Sequence, residues 1–164
     1  MKLLVAGHGA TQWAMVDPRP GSEVDTEFLT ENMLRFQIPL EAIDPFKYGE
    51  ARSFSAAVGE GFDVYQRGTV PAIATVTVTG SLPGGYELLL GGRLVTVERA
   101  VTSGSPHVVD MRTGILRVGG AVDRGGIVYS ELFKIAPGMP QNFYSVARTP
   151  GTGTVKVAFN DTYI

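Results

Sequence analysis

Several groups of residues in this chain have the types that chemistry requires. Glu23, Asp25, Glu27 and Glu31 crowd carboxylates into one short stretch. A glycosidase uses two such carboxyls at a set separation. Here they follow Pro18, Pro20 and Gly21, which reads as a solvated polar loop. Ser105, His107 and Asp110 supply the side chains of a nucleophilic triad. On a strand, however, His107 and Asp110 point to opposite faces, and the chain carries no G-x-S-x-G elbow. Asn160-Asp161 offers oxygens to Ca²⁺, which takes six or more. No dense Asp/Asn/Gly loop completes the set. Asp123-Arg124-Gly125-Gly126 runs into Ile127-Val128-Tyr129. A phosphate cradle must open a helix, so these residues read as a turn. A sugar platform needs an exposed aromatic with polar neighbours. Trp13 is the only tryptophan, and Tyr65, Tyr86, Tyr129 and Tyr144 are scattered as core or interface filler. The expectation is a chain with no catalytic residues, no cofactor-binding residues and no metal ligands, and not an enzyme.

Composition narrows the classes further. The chain has 164 residues, enough for one domain with a real core, with or without an appended piece. Hydrophobic residues are 44% and charged residues 18%, the opposite of a disordered balance. A net charge of −2 without basic runs argues against nucleic acid or anionic lipid as a partner. The absence of cysteine excludes disulfides and thiolate metal sites, and two histidines exclude a multi-His site. The apolar run Leu3-Leu4-Val5-Ala6 is too short for a signal segment, and no stretch approaches a membrane span. A soluble protein made in a cytoplasm is expected.

The elements that would position these residues are strands. The best helical candidate, Asp25 to Met33, lacks a 3.6-residue stripe. Leu34, Phe36, Ile38, Leu40 and Ala42 alternate with Arg35, Gln37, Pro39, Glu41 and Ile43, which predicts one strand. Pro39 would place it at an edge, and Asp44-Pro45 would end it. Further strands are predicted over 51–58, 70–79, 86–90, 93–100, 107–111, 115–118, 131–135, 142–147 and 154–159. Val70 to Thr79 is the strongest, with Val70, Ala72, Ala74, Val76 and Val78 on one parity. Gly91-Gly92 signals a two-residue hairpin, and Arg112-Thr113-Gly114 a second tight turn. Glycines (21) and prolines (10) punctuate the whole chain, as in a sandwich or barrel. The fold class expected is all-β, an antiparallel β-sandwich of jelly-roll or galectin-like type with an N-terminal β extension. The division expected is 1–50 for the extension and 51–164 for the sandwich.

Two resemblances to known families follow. His8-Gly9-Ala10-Thr11-Gln12-Trp13, after Leu3-Leu4-Val5, resembles the Arg-His-Gly-x-Thr-x-Trp signature of histidine phosphatases. There the histidine attacks phosphorus beside a phosphate-binding arginine. Gly7 replaces that arginine here, removing the cation on which such a site depends. The family also implies an α/β fold and a second histidine, which could only be His107. The plainer reading is a strand, a glycine turn, and Trp13 on the next strand.

The second resemblance rests on order. Gly80 to Gly92, Val109 to Gly114, Leu132 to Gly138, and Gly153 to Phe159 with Tyr163 look like the C-terminal region of siphophage distal tail (minor tail, baseplate hub) proteins. The segment Phe36–Ala42 followed by Asp44-Pro45-Phe46-Lys47-Tyr48 is similar to that family's lead into its sandwich. The resemblance implies a ring-forming N-terminal belt domain and a galectin-like C-terminal sandwich without catalytic residues. It also implies homo-oligomers, hexameric in the family, tail tube and tail hub proteins as partners, and a place in the virion at the phage tail tip. Only about fifty residues precede the sandwich, so a fragment or reduced variant is expected, in which ring formation is in doubt. The leading expectation is a structural component of a tail tip or baseplate, linking tail tube to adsorption apparatus. The alternatives are a carbohydrate-binding module contacting host-surface glycans and a histidine-phosphatase-like enzyme.

Overall fold

A computed structural model describes residues 1–6, 9–31, 33–42 and 44–164. Among them the chain forms only strands and short turns, with no helix. In chain order the strands are β1 (Lys2–Val5), β2 (Gln12–Pro18), β3 (Asp25–Thr30), β4 (Met33–Gln37), β5 (Leu40–Ala42), β6 (Lys47–Ala57), β7 (Gly61–Val64) and β8 (Thr75–Ser81). They continue with β9 (Tyr86–Leu90), β10 (Arg93–Val97), β11 (His107–Asp110), β12 (Ile115–Val118), β13 (Ala121–Asp123), β14 (Ile127–Ser130), β15 (Gln141–Ala147) and β16 (Thr152–Tyr163).

Two antiparallel sheets make the sandwich. The larger has the order β1-β2-β6-β16-β8-β11-β12-β13, with β5 beside β2. The smaller has the order β14-β10-β9-β15-β7. Period-2 alternation explains which face each strand buries. Val76, Val78, Val109, Val155, Val157 and Phe159 of the larger sheet meet Tyr86, Leu88, Leu90, Val95, Val97 and Phe143 of the smaller one. The intervening residues face away, as the alternating burial of β9 and β16 shows. Each fully buried Val or Leu contributes about 1.5–3 kcal/mol, so this one interface carries the fold's stability.

The turns follow from their residues. Gly91 and Gly92 have φ of 58° and 79° and join Leu90 to its partner Arg93. Two successive positive φ values are what a type I′ hairpin demands, and glycine adopts them without strain. Around Asp110 the carboxylate accepts hydrogen bonds from the Arg112 backbone N–H and the Thr113 hydroxyl, both at 2.8 Å. The Gly114 N–H donates to the Asp110 carbonyl at 2.8 Å and closes the turn between β11 and β12.

The structure corrects several sequence expectations. The predicted strand Leu34–Ala42 is two strands in different sheets: β4 pairs with β3, and β5 with β2. Pro39 has no N–H to continue a ladder, and the chain breaks there. Ile43 lies outside the described residues. Val70–Thr79 has the predicted core parity, with Ala72, Ala74, Val76 and Val78 all buried, but strand pairing starts only at Thr75. Pro71 cannot donate, and the side chain of Gln66 bonds the Val70 carbonyl instead. Strand β10 stops at Val97, short of Ala100, where pairing with β14 becomes irregular. Residues 131–135 form no strand. Leu94 and Arg93 hold this segment through the Glu131 carboxylate and the Leu132 carbonyl, and Ile135 makes an isolated bridge to Ala72. Asp25 and Glu27, expected in a loop, lie on β3, because Phe28 and Thr26 pair with Leu34 and Phe36. The short strands β7, β13 and β14 carry too few alternating residues to be seen in sequence.

Candidate functional site

The sandwich presents two exposed features built from its register: a cleft on the solvent face of the larger sheet, and an uncovered hairpin. The cleft begins with β16. Val155, Val157 and Phe159 point into the core, so Lys156, Ala158 and Asn160 face outward. Ala158 lies between Ser53 of β6 and Thr75 of β8, and Thr75 lies beside Asp110 of β11. A row of small side chains, Ser53-Ala158-Thr75-Asp110, therefore crosses four strands and forms a low floor. Ala51 pairs with Asn160 in the next row.

An aromatic wall rises at one side. Strand β2 meets β6 through the single pair Trp13–Tyr48. Their ring centroids lie 4.8 Å apart at 35°, and the Lys2 ammonium sits 4.3 Å over the Trp13 ring. Phe46 completes the wall. The Tyr48 hydroxyl donates to the Asp44 carboxylate and accepts from the Arg112 guanidinium at 3.4 Å. Burial, together with the Asp44 carboxylate, raises the Tyr48 pKa above its ordinary value. The open cleft measures about 570 Å³, within the usual range of about 300–1,000 Å³ for small-molecule sites.

Charge in the cleft is unevenly committed. The Arg52 guanidinium bonds the buried Asp161 carboxylate at 2.7 Å and Glu50 at 3.1 Å. Its pKa is raised by the Asp161 bond. Asp110 is committed to its own turn. Arg112 is half-exposed and stands 4.0 Å from Asp44. Lys156 is exposed and has no ion pair among the described residues.

The second feature is the hairpin β3–β4, which forms its own two-stranded sheet. Thr26, Phe28, Leu34 and Phe36 share one face, while Asp25, Glu27, Arg35 and Gln37 share the other. The apolar face is uncovered: Phe28 is 80% and Phe36 63% exposed. On the polar face Glu27 reaches Arg35 at 3.7 Å. Separately, β1 is an edge strand of the larger sheet with Leu4 exposed.

The residues singled out from sequence are not brought together as a catalytic site. His8 and Gly7 lie outside the described residues. His107 is fully buried against Tyr86, with ring centroids 5.7 Å apart, and does not line the Trp13 cleft. It points to the opposite face of β11 from Asp110, so the two do not converge as a triad would require. Asp161 is held by Arg52 and the Arg67 N–H. Asp123 bonds Arg99 and the N–H groups of Gly125 and Gly126, which makes the turn anticipated there. The Arg99 bond holds its carboxyl below the ordinary range. Among the described residues no three His, Asp or Glu side chains gather as a metal site. Trp13 stands out in the sequence, but the residues that line the cleft with it, Ser53, Thr75, Arg112 and Lys156, do not. Each is an ordinary outward strand or turn residue, and only strand register unites them.

No family model and no curated protein matches the chain. Among solved structures it is similar to SPP1 Dit, whose crystal structure is described as a paradigm of the hub adsorption apparatus in phages infecting Gram-positive hosts. The TM-score is 0.68 at 12% identity, covering 99% of this chain and 65% of that one. The likeness is one of fold. This chain spans 65% of that protein's length.

Proposed function

We propose that the chain is a structural component of a phage tail tip or baseplate that links the tail tube to the adsorption apparatus. The observation that carries this reading is the likeness to SPP1 Dit along 99% of the chain, at a TM-score of 0.68. The order of turn and strand motifs from Gly80 to Tyr163 points the same way. In this reading residues 51–164 are a galectin-like sandwich, and residues 1–50 are the remnant of a belt domain or the link to one. The chain works in the virion as a homo-oligomer against tail tube and hub proteins.

The hairpin supports assembly on physical grounds. An isolated two-stranded ribbon is marginal in water, and an uncovered face carrying Phe28, Leu34 and Phe36 is stabilised by burial against a partner. A second copy of the chain is the occupant that a symmetric hub supplies. Light scattering of the purified chain tests this. An oligomer that dissociates on Phe28→Ser with Phe36→Ser supports it; a monomer at high concentration, unchanged by the pair, argues against it. Antibody labelling of virions tests location: label on the tail tip is expected, and label confined to the head or absent from virions would sink the reading.

A further inference from the structure

No residue of the β3–β4 hairpin lines the cleft beside Trp13. We infer that this cleft binds a short acidic saccharide, a sugar bearing a carboxylate or a phosphate, whose ring lies on the Ser53-Ala158-Thr75 floor against the Trp13 and Tyr48 wall. This goes beyond the tail-tip reading and stands whether or not the chain assembles.

Four observations carry it. First, the floor is low because its side chains are small, and the space of about 570 Å³ accommodates one or two sugar rings. Second, Lys156 beside the floor has no ion pair among the described residues. Arg112, half-exposed, contacts Tyr48 and Asp44 through one nitrogen only, which leaves its other donors for a ligand, whereas Asp110 is held by its turn and Arg52 by Asp161. Guanidinium and ammonium groups form their strongest hydrogen bonds with carboxylate and phosphate oxygens. Third, Trp13, Phe46 and Tyr48 give an apolar wall for the C–H face of a sugar, while the Ser53 and Thr75 hydroxyls and the Asn160 amide oxygen supply polar partners. The Asn160 nitrogen is engaged with the Gly49 carbonyl, leaving that oxygen available. Fourth, β6, β16, β8 and β11 are all internal strands. The backbone groups of β16, β8 and β11 are paired on both sides, and β6 is free only along its side away from β16 beyond Tyr48, so a peptide cannot add as a strand across this floor. Recognition falls to side chains, which suits hydroxyl-rich ligands.

Trp13 is the only tryptophan, so its fluorescence reports on this cleft alone. The probes are trigalacturonate, glucose 6-phosphate, neutral maltotriose, inorganic phosphate and a tetraglutamate peptide. A saturable change in emission is expected with trigalacturonate or glucose 6-phosphate, and whichever binds identifies the anion. Maltotriose should bind at least about tenfold more weakly, and Lys156→Ala and Arg112→Ala should each weaken the acidic sugar by about tenfold, the usual scale of a charge-assisted hydrogen bond. Binding should also fall as salt rises. Both side chains are exposed, and matched unfolding midpoints verify that the variants stay folded. No saturable change with either acidic sugar overturns the inference, as does equal binding by both variants. Inorganic phosphate or the peptide competing as well as the sugar overturns it too, by assigning the cleft to simple anions or to polypeptide.

Discussion

Replacing Gln66 should destabilise the sandwich out of proportion to the size of the change. Gln66 is fully buried. Its amide donates to the Val70 carbonyl at 2.9 Å and the Ile135 carbonyl at 2.7 Å, and its oxygen accepts from the Thr162 N–H at 3.2 Å. One side chain thus ties the segment before β8, the bridge at Ile135 and the end of β16. Gln66→Met keeps the volume and removes all three bonds. The Ile135 carbonyl retains the Ala72 N–H, so the main losses fall on Thr162 and Val70. An orphaned buried N–H costs about 1–3 kcal/mol and each lost carbonyl bond about 1 kcal/mol, which sums to about 3–5 kcal/mol. For a chain of this length that lowers the unfolding midpoint by about 6–20 °C. Urea unfolding gives the free energy directly, and hydrogen exchange at the Thr162 amide locates the loss. A Gln66→Met variant within about 0.5 kcal/mol of the parent would refute the reasoning, since such a change is within the scatter of neutral substitutions.

Three further outcomes follow from the same contacts. His107 is buried, and among the described residues neither ring nitrogen has a partner in good hydrogen-bond geometry. Burial lowers its pKa below 6.5, outweighing the nearby Ala100 carbonyl and the Asp123 charge, with Arg99 adding to the lowering. The unfolded chain then binds more protons below pH 6.5, so this stability is complete above 6.5 and declines as pH falls toward the folded pKa; urea unfolding at stepped pH should show that decline reduced in His107→Leu, and an identical slope would disprove it. Asp161→Ala leaves Arg52 and the Arg67 N–H without their buried acceptor and should cost about 3–5 kcal/mol by thermal unfolding, against a loss under about 1 kcal/mol if the pair is solvated as surface pairs are. Gly114 has a φ of 69°, so Gly114→Ala should cost about 1–2 kcal/mol from left-handed backbone strain, measured in urea, while an unchanged midpoint would mean that the turn relaxes.

Much of the sandwich was legible because its signals are local. The parity of Val70 to Val78, the Gly91-Gly92 turn and the Asp110–Gly114 turn each depend on a few neighbouring residues, and each appears at its expected place. The failures are also physical. Pro39 interrupts an alternation that looks continuous on paper. Residues 131–135 alternate like a strand, but the Glu131 and Leu132 contacts with β10 replace a ladder. The carboxylates at Asp25 and Glu27 look like a loop until their neighbours Thr26 and Phe28 find Phe36 and Leu34.

By itself the chain determined an all-β class, its main turns, and which parity of each long strand is apolar, because these depend on residue type and spacing of two. Tertiary structure alone decided what those strands bring together. Register set Ser53, Ala158, Thr75 and Asp110 in one row, and the single Trp13–Tyr48 pairing raised a wall beside it. The same pairing rules left Phe28 and Phe36 uncovered on a ribbon of their own. Which distant strands become neighbours depends on packing across the whole sandwich, and no local pattern encodes it.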